Sequence, residues 1–285
     1  MDNVHMLCNV TLCCCFTLQY AELSIFCVSS YFLEYMGSFS VVPMYRASRA
    51  DSKRGIAIAV GIIICWWSAL IYLLTLPIVG FTWGMIPAYC IMTLLYTGLF
   101  ITAHDAMHGS VARHYRRLNM LIGIVCVSLY AVFSYRKLWT KHWDHHRFVA
   151  TEHDPDYHNG SEKHLLAWYG HFLKNYISVW QIVAMAIIFN GLHHVLHIPI
   201  ENLLIFWVAP AITSTFQLFY FGTYLPHREP EDGYTNRHRS NSNDFPLWLS
   251  FLTCYHFGYH WEHHEFPAVP WWRLPAVRRL MREES

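Results

Sequence analysis

The chain has 285 residues, of which 54% are hydrophobic and only 14% charged, and its formal net charge is +1. Soluble domains carry about 25% charged residues, so an ordinary water-soluble domain is excluded and a protein with several membrane spans is indicated. The balanced charge also lacks the basic excess that nucleic acid would call for, so no nucleic-acid partner is expected.

Residues 1–45 contain no Lys or Arg, and so lack the basic n-region of a secretory signal. Val10–Leu33 is long enough to span, but Gln19 and Glu22 fall in its middle, and an acid at depth costs roughly 2.5–3.5 kcal/mol. An extra apolar helix, an interfacial segment and an upstream extension all stay open for this N-terminal part. The main domain is expected over residues 46–285. Ile56–Leu76 and Trp83–Ala103 are apolar runs of spanning length, joined by a short link that begins at Pro77. Tyr176–Ile198 and Asn202–Leu225 form a second pair, turning at Pro199. Proline suits both turns because it lacks the N–H that would continue a helix. Two shorter runs remain, Leu118–Ser134 and Phe245–Tyr255. The first has Arg116 and Arg117 before it and Arg136 and Lys137 after it, so both ends belong on one side and the segment reads as interfacial or re-entrant. The 20 basic residues begin at Arg46, and none falls in 77–82 or 198–201. The positive-inside rule therefore places Lys53 and Arg54, the 104–175 region and the 226–285 tail on the cytosolic (or stromal) face. The expected fold is an all-α integral membrane protein: four transmembrane helices in two hairpins under a cytosolic helical cap. The nine cysteines form no CxxC pair and lie mostly in apolar segments, so they read as small buried hydrophobes rather than as disulfide or zinc residues.

The cap collects histidines, of which the chain has 20. Three boxes stand out: His104 and His108 as HxxxH; His142, His145 and His146 as HxxHH; and His260, His263 and His264 as a second HxxHH. Spacings of i, i+3 and i+4 put imidazoles on one helical face, where they can converge. Eight histidines are too many for one tetrahedral zinc ion, and cysteine, common in structural zinc sites, is nearly absent nearby. Two six-coordinate ions suit the number better. Imidazole serves iron and copper as well as zinc, so spacing alone does not name the metal, but a dinuclear iron centre fits best.

His227, just past the fourth span, is a candidate ninth ligand, and His256, one turn before His260, is a candidate ligand or neighbour of the ligands. His193, His194 and His197 copy the HxxxH spacing but fall at the opposite membrane face, where interfacial roles are expected. His114, His158, His164, His171 and His238 are expected to be solvated or interfacial, and His153 is left open. Metal-bound imidazoles usually donate their second N–H to a carboxylate or carbonyl. Asp105, Asp144 and Glu262 are the leading candidates for that role, with Asp154, Asp156 and Glu265 also near the boxes.

The boxes on a four-span core resemble those of the membrane fatty acid desaturase/hydroxylase superfamily. The stretches LYTGLFITAHDAMHGS (95–110), DPDYHNG (154–160), FYFGTYLPHRE (219–229), YHFGYHWEHHEFP (255–267) and PWWRLP (270–275) resemble the bacterial and algal β-carotene ketolases, from about Asp51 onward. The resemblance implies a non-haem diiron oxygenase with the eight box histidines, joined by His227, as iron ligands. It implies oxidation at C4 and C4′ of β-ionone rings with dioxygen and two electrons per cycle, taking β-carotene through 4-hydroxy and geminal-diol stages to echinenone and canthaxanthin. Astaxanthin from zeaxanthin is a further product to expect. The substrate would come from the bilayer, and Tyr220, Phe221, Tyr224, Phe257 and Trp261 are candidate groove residues. With no GxGxxG and no haem-attachment CxxCH in the chain, electrons are expected from an external donor such as ferredoxin. Arg113, Arg116, Arg117, Arg136, Lys137 and Lys141 would form its docking surface or, equally, set topology. The competing readings are a fatty acyl desaturase, a carotenoid 3-hydroxylase and, outside enzymes, a His-rich membrane metal transporter.

Overall fold

A computed structural model describes residues 47–283, apart from 79, 81, 159, 161 and 162. The candidate span Val10–Leu33 lies outside the described residues. Every regular element described is helical. Helix α1 (Arg49–Thr75) starts at a capping box, with Ser48 Oγ accepting from the Asp51 N–H and the Asp51 carboxylate accepting from the Ser48 N–H. It stops where Leu76 turns extended ahead of Pro77, as the residue before proline must. Helix α2 (Met85–Met107) is central, with Met92, Tyr96, Leu99, Ile101 and Ala103 wholly buried. It packs on α1, on α3 (Arg116–Ala131) and on α7 (Ile200–His227). Edge-to-face contacts from Trp66 to Tyr96 and from Tyr96 to Tyr130 tie α1, α2 and α3 together.

Helices α1, α2 and α7 are each long and apolar enough to cross a membrane. The expected third span is different. It is a helix α6 (Val179–Val195) that follows α5 (Leu165–Tyr176) at a bend of 86°, and only Gln181 of its α-helical part is buried. Helix α3 likewise meets α4 (Tyr135–Phe148) at 100°, after the left-handed residue Val132. Three spans, or up to five if each bent pair is one, are therefore available.

Helix α7 widens into π-helical turns at Leu203–Val208 and Tyr220–Tyr224, each followed within two residues by a proline, Pro210 and Pro226. A proline ring clashes with the carbonyl four residues back. Those carbonyls belong to Phe206 and Gly222, inside the widened turns, which make room for the ring and keep the helix going. The second widening sets the direction of His227.

Asn202, fully buried at the start of α7, donates through Nδ2 to the carbonyls of Leu73 and Leu76, 2.7 and 2.8 Å away. It thereby caps the end of α1. Replacing it with alanine is expected to lower stability by about 2 kcal/mol, read as an earlier thermal transition in detergent.

After α7 come α8 (Leu247–Cys254), α9 (His260–Glu265) and α10 (Leu274–Glu283). Tyr255 and His256 both adopt left-handed backbone, at φ 50° and 61°, and turn the chain from α8 into α9. Of the cysteines described, Cys126 and Cys254 are buried as expected, whereas Cys65 and Cys90 face outward.

Candidate metal centre

The ends of α2 and α7 meet α4 and α9 at the end of the molecule where α1 begins. There the structure gathers all nine histidines singled out as ligands. His104, His108, His142 and His263 form one group, and His145, His227, His260 and His264 a second. His146 stands between them, with Nε2 3.1 Å from His263 Nε2 and its ring 4.3 Å from that of His264. Seven of the nine are buried, and His108 and His142 are half-buried.

The nitrogens point inward. In the second group the Nε2–Nε2 separations are 2.8 Å for His227–His260, 3.0 Å for His260–His264 and 3.1 Å for His145–His264. Ligands about 2.1 Å from an ion stand about 3.0 Å apart at right angles and about 3.4 Å apart at a tetrahedral angle. The observed spacing matches adjacent positions of a six-coordinate ion. Hydrogen bonding cannot account for it, because each neutral imidazole has one proton and the second ring nitrogens are in part already committed. Both ring nitrogens of His104, and Nδ1 of His108, His146 and His264, are buried without a protein partner. Buried polar atoms are normally paired; the Nδ1 atoms of His108, His146 and His264 lie on the far side of rings whose Nε2 atoms converge, so among these orphans the inner nitrogen of His104 is the one that a cation held between the rings would satisfy.

The second nitrogens show how the rings are held. His145 Nδ1–H donates to Asp154 Oδ1 at 2.9 Å, and His227 Nδ1–H donates to the Arg239 carbonyl at 2.9 Å. Each bond fixes the tautomer that leaves Nε2 as the free lone pair. Asp154 in turn accepts from the backbone N–H groups of Ala150 and Asp156. Burial by itself pushes the Asp154 carboxyl up, but the neighbouring His145 outweighs this and holds it below the usual carboxylate range. Burial pushes Asp156 up to about 6. Asp105, 3.5 Å from His104 Nδ1, accepts the Trp271 N–H at 2.9 Å and so ties α2 to the turn after α9.

Two of the acids do something other than touch a histidine. Glu262 faces away from the rings, accepting from Arg278 Nη1 at 2.7 Å and from the Ser242 hydroxyl, so it anchors α9 to α10. Asp144 makes no hydrogen bond to any of the nine histidines among the described residues; Asp154 takes that place at His145. His256 lies outside both groups, stacked on Tyr259 with Nδ1 3.1 Å from Ser250 Oγ, and serves the turn into α9. His238 and His158, expected at the surface, are buried. His238 donates to Glu265 at 2.7 Å, and His158 is packed against Tyr157 and Trp168. His153 is exposed beside Glu152. His193 bonds the Ile198 carbonyl, at the far end of α6 from the two groups.

An apolar cavity of about 710 Å³ opens from His104, His142, His145 and His260 and runs between α2, α3, α5, α6 and α7. Phe257 is the only nominated groove residue that lines it; Tyr220, Phe221, Tyr224 and Trp261 do not. Tyr220 is stacked between Phe216 and Tyr224, Phe221 lies against Phe245, and Trp261 is beside His238. The walls come instead from Phe100, Tyr130, Phe172, Met185, Phe189 and Trp207. From Gln181 to Asn190 along α6 the cavity covers about 14 Å at 1.5 Å per residue. Of the expected basic surface, Arg113, Arg116, Arg117, Arg136 and Lys137 are exposed, whereas Lys141 donates to the Asn175 carbonyl.

Comparison with known proteins follows the same outline. A family model described as fatty acid desaturase matches residues 81–183 and 171–285. A β-carotene ketolase of Haematococcus lacustris is 46% identical over 199 residues, covering 67% of this chain and 61% of the relative. A zeaxanthin 4-ketolase of Chlamydomonas reinhardtii is 42% identical, covering 85% and 56%. A β-carotene ketolase of Paracoccus sp. (strain PC1) is 39% identical, covering 80% and 94%. The match thus spans less than two thirds of the algal relatives' own length and nearly all of the bacterial one.

Proposed function

The chain belongs to the fatty acid desaturase family, and from that premise we propose that it is a carotenoid 4-ketolase with a diiron centre. The observation that carries the reading is the pair of four-histidine groups at the mouth of a long apolar cavity, in a chain similar to ketolases named for β-carotene and for zeaxanthin. His104, His108, His142 and His263, with His146, would hold one ion, and His145, His227, His260 and His264 the other. Two iron ions held there supply activation of dioxygen, which an allylic C–H bond demands. The topology that accompanies this reading has four spans, with α6 as the third, α3 and α4 lying at the surface of the bilayer, and the histidines on the cytosolic or stromal side. Residues 46–285 make up the catalytic domain. Electrons arrive from a soluble donor such as ferredoxin at the exposed arginines of α3 and α4.

The protein's own contribution is placement. The cavity takes one end of a rigid hydrocarbon from the lipid and directs it at the histidines, and the aromatic walls exclude water. Phe257, whose ring lies 4.5 Å from His104 and 4.9 Å from His260, borders the end ring. Asp154 and the Arg239 carbonyl keep His145 and His227 from turning. Each cycle consumes one dioxygen, two electrons and two protons, inserts one oxygen atom into the C4–H bond and releases the other as water. A second cycle at the same carbon gives a geminal diol, which loses water to become the ketone.

Expression in a β-carotene-accumulating host, followed by pigment chromatography, tests the reading. Echinenone and canthaxanthin are expected; 3-hydroxylated pigment or desaturated lipid without any 4-keto product would overturn it. A finer test uses Gly222, which lies under Phe257. A Cβ added there would come within 2.6 Å of the Phe257 ring and push it toward the histidines. Gly222→Ala is expected to cut ketone formation 10- to 100-fold, the scale of a displacement of about 1 Å at a reacting centre, with iron content unchanged.

A further inference from the structure

Several of the polar groups bordering the cavity away from the histidines are engaged with the protein. The Tyr130 hydroxyl bonds Ser214 and Thr215, Thr215 donates to the Ala211 carbonyl, and Gln181 donates to the Ala131 carbonyl. Asp156 differs. Its Oδ1 accepts the Tyr176 hydroxyl. Its Oδ2 has no hydrogen-bond donor among the described residues. The nearest candidate is His145 Nδ1 at 3.9 Å, which already donates to Asp154. The Asp156 side chain is 14% exposed, and the residue lines the cavity beside His145. A carboxylate oxygen facing an apolar space is costly until something brings it a proton donor. A hydroxyl on a ligand in the cavity would supply such a donor.

We propose that Asp156 Oδ2 is the hydroxyl-binding point of the cavity, accepting a hydrogen bond from a ring hydroxyl of the carotenoid. The proposal rests on the ketolase reading and deepens it. The hydroxyl has two sources: a ring that arrives already hydroxylated, or the alcohol left by the first oxidation. In the second case Asp156 keeps the alcohol at the site for the second cycle. Tyr176 is a positioning residue, holding Oδ1 and so fixing the carboxylate at the cavity wall.

The test compares the unaltered protein with Asp156→Ala and Asp156→Asn in two assays. One is the ratio of released 4-hydroxy pigment to 4-ketone in β-carotene-producing cells. The other is the relative affinity of the purified, iron-containing protein, without reductant, for 3-hydroxylated and unhydroxylated carotenoid, followed by visible absorption. Asp156→Ala is expected to change one or both ratios about tenfold, toward released alcohol and away from the hydroxylated ligand. Asp156→Asn, whose amide still pairs with a hydroxyl, is expected to restore part of the change. A change in the first ratio alone assigns the intermediate as the source, and a change in the second alone assigns the substrate hydroxyl. Unchanged ratios would overturn the proposal, and so would equal losses on both pigments with falling iron content, which would assign Asp156 to holding His145. Failure of the unaltered protein to make any 4-ketone would instead sink the ketolase reading.

Discussion

His263→Ala is expected to reduce 4-keto pigment below detection, while His193→Ala leaves most of it. His263 belongs to the first histidine group and its Nε2 lies 3.1 Å from that of His146, so on the proposed centre its loss would remove one ligand and loosen a second. His145→Ala is expected to act in the same way on the second group and also strands the Asp154 carboxylate. A buried carboxylate that loses its partner costs about 3–5 kcal/mol, so this variant should also unfold earlier than His263→Ala. His193 offers the same residue type and the same HxxxH spacing, but it bonds a backbone carbonyl at the distant end of α6. Pigment chromatography with iron analysis on each variant is the check. Full activity in His263→Ala, or none in His193→Ala, would show that the metal centre is misplaced.

Removing the metal is expected to have the second-largest effect, and to make stability depend steeply on acid. A ligand present at about a thousand times its dissociation constant stabilises by about 4 kcal/mol, so stripping with a chelator should lower the melting temperature by many degrees, and ferrous iron should restore it. The pH dependence follows from burial. Burial holds the imidazoles of His263 and His264 well below their ordinary value of 6.5, with neighbouring histidines adding to the effect. The unfolded chain therefore takes up protons near pH 6.5 while the folded chain does not. The stability these two groups contribute is present above about 6.5 and is lost as pH falls toward their folded values, by up to about 1.4 kcal/mol per pH unit for each group. Thermal melts of the stripped protein between pH 8 and pH 5 read this directly; a flat profile would contradict it.

The boxes could be read from the sequence because helical spacing is local: i, i+3 and i+4 determine a face whatever the rest of the chain does. The same is true of the apolar runs that became α1, α2 and α7. His227, outside the boxes, was visible from its place beyond the last span and from the family resemblance of FYFGTYLPHRE. The cavity walls were not legible, because Phe100, Phe172, Met185 and Trp207 reach one space from different helices, and no periodicity in one helix records its neighbour. Tyr220 and Tyr224 stand in a conspicuous aromatic cluster that turned out to pack on itself. The apolar run expected as the third span corresponds to α6, but the 86° bend before Val179 was not legible, because hydropathy measures length and not direction. Glu262 looked like a partner of the histidines because of its position inside a box, but a helix points neighbouring residues apart, and Arg278 was waiting on the other side.

The histidines of the two groups also determine an order of events during synthesis. His104 is the first and His264 the last, 160 positions apart, and each group draws on the final box. A nascent chain can thread α1, α2, α6 and α7 into the bilayer, yet neither histidine group is complete until α9 has left the ribosome and folded back. On the proposed metal centre, only a chain translated past residue 264 would offer either ion its full set of histidines, so loading would follow insertion rather than guide it.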